Sequence, residues 1–510
     1  MTDDGPNAPR STPGSLGVRE RSLVGTGIHG LDEVLAGGLT GSRLYLIEGL
    51  PGSGKTTLAL QFLLEGVRRG ERVLYVTLSE TEEELRSAAA SHGWSLDGVR
   101  FREFIPTEDS LREEQQYTVF HPSEVELGQT INAILEEAEK IRPTRIVFDS
   151  LSELRLLAGS QFRYRRHVLA LKQFFAERGC TVLMIDDRSG GEEDRQLRSV
   201  ANGIVILEQL QPAYGAERRR LCVVKQRASA YRGGFHDFVI RESGLVVFPR
   251  PLASLERHGS SRETLSSGVD GLDALLGGGI QRGTGTLIAG PPGTGKSTLG
   301  AQFAFSAARR GERAALFLFD ENPTTLLLRA RGLGIPLDEP VQEGRITVRQ
   351  VDPAELSPGE FASSVLAEAR MPETSIVVID SLNGYLNAMP EESFIVAQLH
   401  ELLTCLDQLG VATILVSVQH GLIGPADSAV DASYLADTVL QLRYFELEGD
   451  VRQAISVTKK RGGKHERTIR EFFLDASGIR LGEPLRKFRG VLTGVPVPEE
   501  NRDRSAEHDR

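Results

Sequence analysis

The chain has 510 residues, 40% of them hydrophobic and 25% charged, with a formal net charge of −11. That length calls for more than one core, and the acidic balance argues against a protein that coats polyphosphate, because non-specific nucleic-acid binding comes from neutralising phosphates with Lys and Arg. Three widely spaced cysteines, Cys180, Cys222 and Cys405, form neither a disulfide framework nor a CxxC zinc pattern, so a cytoplasmic location is expected.

Taken in order, residues 1–17 are rich in Pro, Gly, Ser and Asp and read as a disordered leader. Residues 18–248 are expected to form one domain and residues 263–485 a second. A linker over 249–262 joins them, and a flexible tail follows from 486 to 510. The division rests on a repeat. The segment from Gly25 through Glu80 aligns without a gap with the segment from Ser266 through Glu321, pairing Asp32 with Asp273, Lys55 with Lys296, and Arg72 with Arg313. A period this long marks a duplicated domain rather than a solenoid, whose units span roughly 20–50 residues.

Each copy repeats one order of elements. An apolar strand (Leu44–Ile47; Thr286–Ala289) feeds a glycine-rich loop and a helix-period segment. A second strand (Val73–Leu78; Ala315–Phe319), an amphipathic helix (Glu124–Ile141; Glu360–Ala369) and a third strand ending in Asp (Arg145–Asp149; Ile376–Asp380) follow. Another helix leads to a strand at Thr181–Ile185 or Thr413–Val418. Alternating strands and helices predict an α/β fold, with a mainly parallel, doubly wound sheet in each copy. Strand-like runs at Ile204–Leu210, Leu221–Val224 and Phe235–Phe248, matched by Leu440–Phe445, Ala454–Thr458 and Arg467–Phe473, suggest an antiparallel extension.

The glycine-rich loops carry the chemistry. Gly49-Leu50-Pro51-Gly52-Ser53-Gly54-Lys55-Thr56 and Gly290-Pro291-Pro292-Gly293-Thr294-Gly295-Lys296-Ser297 both fit GxxxxGK[ST]. Glycines let successive amides curl into an anion nest at the positive end of a helix. Lys55 and Lys296 can reach the β- and γ-phosphates of ATP, with Thr57 and Thr298 completing the cofactor-binding segments. Thr56 and Ser297 can each give a hydroxyl to Mg²⁺. Asp149 and Asp380, each ending an apolar parallel strand expected next to the loop-bearing strand, are the expected metal-shell carboxylates; the bland alternative is an acid that caps the next helix. One such loop in a long chain can arise by chance, but two in register, each between a strand and a helix, make nucleotide binding the reading.

The GIxGLDxxLxGG lead-in, the tandem copies, and Ile455-Ser456-Val457-Thr458-Lys459-Lys460-Arg461-Gly462 followed by Ile469-Arg470-Glu471-Phe472 resemble the KaiC family of RecA-type ATPases. The resemblance spans roughly residues 16–497. It implies two RecA-like P-loop domains, a homo-hexamer with ATP between subunits, slow hydrolysis, and autokinase activity in the second tier. A KaiB-like protein or a histidine kinase is the partner it suggests. The family's paired glutamates after the second strand correspond to Ser79-Glu80 and Asp320-Glu321, so Glu80, Asp320 and Glu321 are the implied bases. Its Lys-x-Arg segment, which stabilises a neighbouring subunit's γ-phosphate, corresponds to Lys225 with Arg227 and Lys459 with Arg461. Its Ser-Thr phosphoacceptor pair corresponds to Ser433 and Tyr434. Two alternatives stand beside this reading: a nucleotide-gated scaffold with little catalysis, which Ser79 favours for the first copy, and a RecA-type DNA motor. The motor lacks any zinc-finger or helix-hairpin-helix signal, and neither nucleic acid nor membrane is expected as a partner.

Overall fold

The computed structural model describes residues 22–104, 122–187, 193–212, 214–253, 263–387, 394–419, 434–486, 488–491 and 497–498. The leader, residues 254–262 of the linker, most of the tail and Ser433 lie outside the described residues. The chain divides into two compact units, one built around each repeat.

Each unit has a nine-stranded sheet. In the first, the strand order is Gly244–Phe248, Phe235–Arg241, Arg218–Gln226, Gly203–Leu210, Leu44–Gly49, Thr181–Asp187, Arg145–Asp149, Val73–Thr77, Val99–Glu103. The second runs Ile346–Gln350, Arg313–Leu318, Thr374–Asp380, Ala412–Val418, Gly285–Gly290, Thr438–Leu447, Asp450–Lys460, Ile469–Asp475, Gly478–Pro484. The loop-bearing strand is central in both. Apolar side chains cover both faces of the second sheet: Ile288, Leu316, Val378 and Phe303 gather on one, Leu287, Phe317, Ile379 and Phe361 on the other. Such two-sided burial is what near-continuous apolar runs in a parallel sheet require.

Three details correct the expectations. Gly203–Leu210 and Thr438–Leu447, expected to begin the antiparallel extension, pair parallel with the loop-bearing strands, and in the second unit the reversal starts only with Asp450–Lys460. A parallel strand needs a crossover, and the chain between Asp187 and Gly203 supplies one through the helix Glu193–Val200. The strands ending in Asp149 and Asp380 are also not neighbours of the loop-bearing strands, because Thr181–Asp187 and Ala412–Val418 intervene. Finally, Val99–Glu103 and Ile346–Gln350 were not foreseen. Both are edge strands, and the charges of Arg100, Arg102, Glu103 and Arg349 that hide their periodicity are the kind that blunt an exposed sheet edge. Within the segment expected to be a flexible tail, Phe488–Arg489 pairs antiparallel with Val497–Pro498, and Val491 packs against Phe445 and Ala454.

Candidate functional site

Each glycine-rich loop joins a central strand to a helix, Lys55–Arg68 or Lys296–Arg309, that buries Phe62 or Phe303 against the sheet. The turn into the helix is left-handed at Gly54 (φ 96°) and Gly295 (φ 90°). A Cβ at Gly54 would also press on Ile240 Cδ1 at 2.8 Å and one at Gly295 on a Leu474 methyl, contacts a side chain can relieve, so the backbone angle is what favours glycine. The first helical hydrogen bonds run from Leu58 N–H to Gly54 O and from Leu299 N–H to Gly295 O, each 3.0 Å. The amides of Lys55, Thr56 and Thr57, and of Lys296, Ser297 and Thr298, are therefore the unpaired donors at a positive helix end. The Ser53 hydroxyl, fully buried under the first loop, has no protein partner, whereas Thr294 donates to Pro291 O at 2.8 Å.

The contacts of the loop lysines and of the strand-end acids differ between the copies. Lys55 donates to Gly49 O and Leu50 O at 2.9 Å each and pairs with Asp187 Oδ1 at 3.0 Å. Lys296 donates to Pro291 O at 2.6 Å; burial lowers its ammonium to about 8, against the raising influence of Asp380. Although one strand removed from the loop, Asp149 accepts from Thr56 Oγ1 at 3.1 Å, because the helix after the loop crosses over the intervening strand. Asp149 also accepts from Tyr75 Oη at 2.5 Å. Burial raises its carboxyl, and these two hydrogen bonds oppose the rise. Burial raises Asp380 to about 6, opposed by the hydroxyl of Ser297. In the second copy Leu316 takes the place of Tyr75, as the register of each pair of strands shows.

The acids after the second strand also part company. Glu80 is lifted above the usual glutamate range, first by burial and then by the charges of Asp149 and Glu84, while Lys55 opposes. Glu321 is gripped bidentately by Arg329, with Nε–Oε1 at 3.1 Å and Nη2–Oε2 at 2.8 Å, and Arg329 also donates to Thr298 Oγ1 at 2.8 Å. Asp320 accepts from Ser381 Oγ at 2.5 Å. The residue matching Arg329 in the first copy is Ala88, so Glu80 lacks that clamp.

Lys225, Arg227, Lys459 and Arg461 lie at the other rim of their sheets. Lys459 and Lys460 pair with Val439 and Thr438, and Thr438 sits beside Thr286 at the start of the loop-bearing strand. The loop begins at the far end of that strand, at Gly290, about 13 Å away by strand rise. In the first copy Arg227 N–H donates to Asn202 O, and Asn202 N–H donates to Leu44 O, which places Arg227 at the matching rim. Lys225 and Lys459 each donate to a backbone carbonyl at 2.7 Å, of Arg198 and Ala436 respectively, and Arg461 pairs with Asp437 at 3.4 Å. The residue between Lys and Arg holds the lead-in: Gln226 Nε2 donates to Leu35 O and Gly38 O at 3.5 and 3.4 Å, and Lys460 donates to Leu276 O and, at 3.1 Å, to Gly279 O. Tyr434 is 55% exposed.

The ATPase: KaiC family model matches residues 24–251 and again 265–486. This chain belongs to the KaiC family. Among its curated relatives are the "Circadian clock protein KaiC3" of Synechocystis sp., 30% identical over 92% of this chain and 94% of the relative, and the "Circadian clock oscillator protein KaiC" of Parathermosynechococcus lividus, 28% identical over 92% and 87%. The protein of the latter name from Parasynechococcus marenigrum is 29% identical over 92% of each chain. ATP binding and ATPase chemistry accordingly come with the family. Mg²⁺ needs few protein oxygens when it binds with a nucleotide, and the pairs Thr56–Asp149 and Ser297–Asp380 fit that need. Among the described residues no group of three or more His, Cys, Asp or Glu is placed to hold a metal ion. No helix among the described residues is long and apolar enough to cross a membrane. Four residues of this KaiC-family site escaped sequence reading: Asp187, Tyr75, Arg329 and Ser381. For Tyr75 the signal was present in the repeat, as a position where one copy has a polar group and the other Leu316.

Proposed function

We propose that the protein is a nucleotide-dependent hexamer that hydrolyses ATP slowly and phosphorylates itself in its second domain. The observation that carries this reading is the placement of Lys225, Arg227, Lys459 and Arg461 a strand's length from the loop of their own sheet. A cation so placed serves phosphate bound on another copy, as an arginine finger acting in trans. In that role it stabilises charge that builds on the γ-phosphoryl group. Thr56 with Asp149, and Ser297 with Asp380, would hold Mg²⁺, which neutralises phosphate charge when bound.

In the kinase step a hydroxyl oxygen forms the new bond to the γ-phosphorus while the bond to the β-bridging oxygen breaks, releasing ADP. Glu321, with Asp320 beside it, takes the hydroxyl proton, and Ser433 is the proposed acceptor with Tyr434 second. In hydrolysis, Glu80 and Glu321 take the proton of water. The proposed domain limits are those read from the repeat, with a KaiB-like protein or histidine kinase as partner and the cytoplasm as location. A second reading has support in the first copy alone: Ser79 replaces a base there and Asp187 occupies Lys55, as a nucleotide-gated scaffold would allow.

Subunit mixing tests the proposal. A chain carrying Lys55→Ala and Lys296→Ala keeps its fingers but loses its loops, and one carrying Arg227→Ala and Arg461→Ala does the reverse. Each alone should release little phosphate and their mixture should regain activity; a mixture as inactive as its parts overturns action in trans. Light scattering with Mg-ATP should show a species near six times 55.7 kDa. Mass spectrometry should find phosphate between Ala429 and Asp437, and its absence there ends the kinase reading.

A further inference from the structure

We infer that Asp187 sets the affinity of the first nucleotide site by competing with the terminal phosphates for Lys55. The inference rests on the reading of both loops as nucleotide sites and adds an internal rival to one of them. An ammonium group has three hydrogens. In the first copy Gly49 O and Leu50 O accept two of them and Asp187 Oδ1 forms an ion pair at 3.0 Å, so the protein offers the lysine three oxygens. Two of those acceptors are backbone groups of the loop and stay with it. The third is a side chain 47% exposed, able to turn into solvent when displaced. A triphosphate that reaches Lys55 must displace this carboxylate and then remain near it, two anions for one cation.

The repeat supplies the control. Asp187 lies in register with Gly49, the first residue of its loop, and Val418 lies in register with Gly290, the first residue of the other. The same strand thus forms around a valine, so the fold does not demand an acid at this position. Valine offers Lys296 no competing charge. The neighbouring pair repeats the contrast, since Asp186 beside Glu48 becomes Ser417 beside Ala289. Glu48 and Asp186 are each matched by a buried-side arginine, Arg198 and Arg155. Asp187 instead faces the lysine that the nucleotide needs.

Because half-exposed ion pairs are weak, the effect is a modulation of about three- to tenfold rather than a block. Calorimetric titration of the full-length protein with Mg-ATP should resolve two classes of site. Asp187→Val and Asp187→Asn should each tighten one class three- to tenfold and leave the other unchanged. The reciprocal Val418→Asp should weaken the other class. The asparagine variant removes only the charge, so it carries the test if the valine variant unfolds. Unchanged binding in both Asp187 variants, or equal tightening of both classes, overturns the inference while leaving two nucleotide sites in place. A wild-type isotherm with a single class that disappears in Lys296→Ala would instead remove the first site itself, and the competition with it.

Discussion

The two loops share one backbone design, yet their lysines live in different electrostatic surroundings. Lys55 sits among three oxygen acceptors, one of them anionic, while Lys296 is buried deeply enough for its ammonium to fall to about 8. The carboxylates reverse the pattern. Asp149 is held by a buried tyrosine and a threonine, Glu80 has no arginine clamp, and Glu321 is gripped by Arg329. A duplicated fold has therefore kept its phosphate cradle and changed what leans on it. The first lysine already has an anionic partner in Asp187, whereas the second is a buried cation that an anion would satisfy.

The sharpest way to break this contrast is to remove each lysine. Lys296→Ala should weaken ATP binding at its own site on the order of a hundredfold, and Lys55→Ala only on the order of tenfold, because Lys55 already shares its charge with Asp187. Site-resolved titration decides it, and equal losses would erase the distinction. Next in size, Arg329→Ala should lower phosphate release about tenfold with little change in KM, since Glu321 loses the fork that orients it. An unchanged rate would reduce Arg329 to a structural partner. Tyr75→Phe should destabilise the first unit by about 1–2 kcal/mol in chemical denaturation, as Asp149 loses a short hydrogen bond while keeping Thr56. A melt identical to wild type would show that the Tyr75 contact adds nothing to the resting fold. Smallest of all, Asp320→Glu, which restores the longer acid of the family pattern, should change phosphate release within about threefold.

Sequence carried the architecture well where apolar runs and glycine spacing were strong: the central strands, the loops and the repeat were all legible. It was weaker where direction or neighbourhood mattered. Ile204–Leu210 reads as a strand in isolation, but nothing in its residues says that it runs parallel to Leu44–Gly49. The edge strand Val99–Glu103 alternates too weakly to stand out among its charges. Site residues followed the same line. Lys55 and Asp149 announce themselves by motif, while Asp187 acquires meaning only when strand order sets it beside Gly49. Arg329 stands eight residues after the acid it holds, in the last turn of the helix Pro323–Gly332, and charge spacing alone does not say that this helix folds back over Glu321.

The small grip of Gln226 and Lys460 on the double-glycine corner ahead of each loop has a consequence of its own. It fastens the opening signature of each domain to the rim cations, making them a single mechanical piece separate from the phosphate cradle. If those cations act in trans as proposed, lengthening that corner by one residue should lower phosphate release while leaving nucleotide capture by the same chain intact.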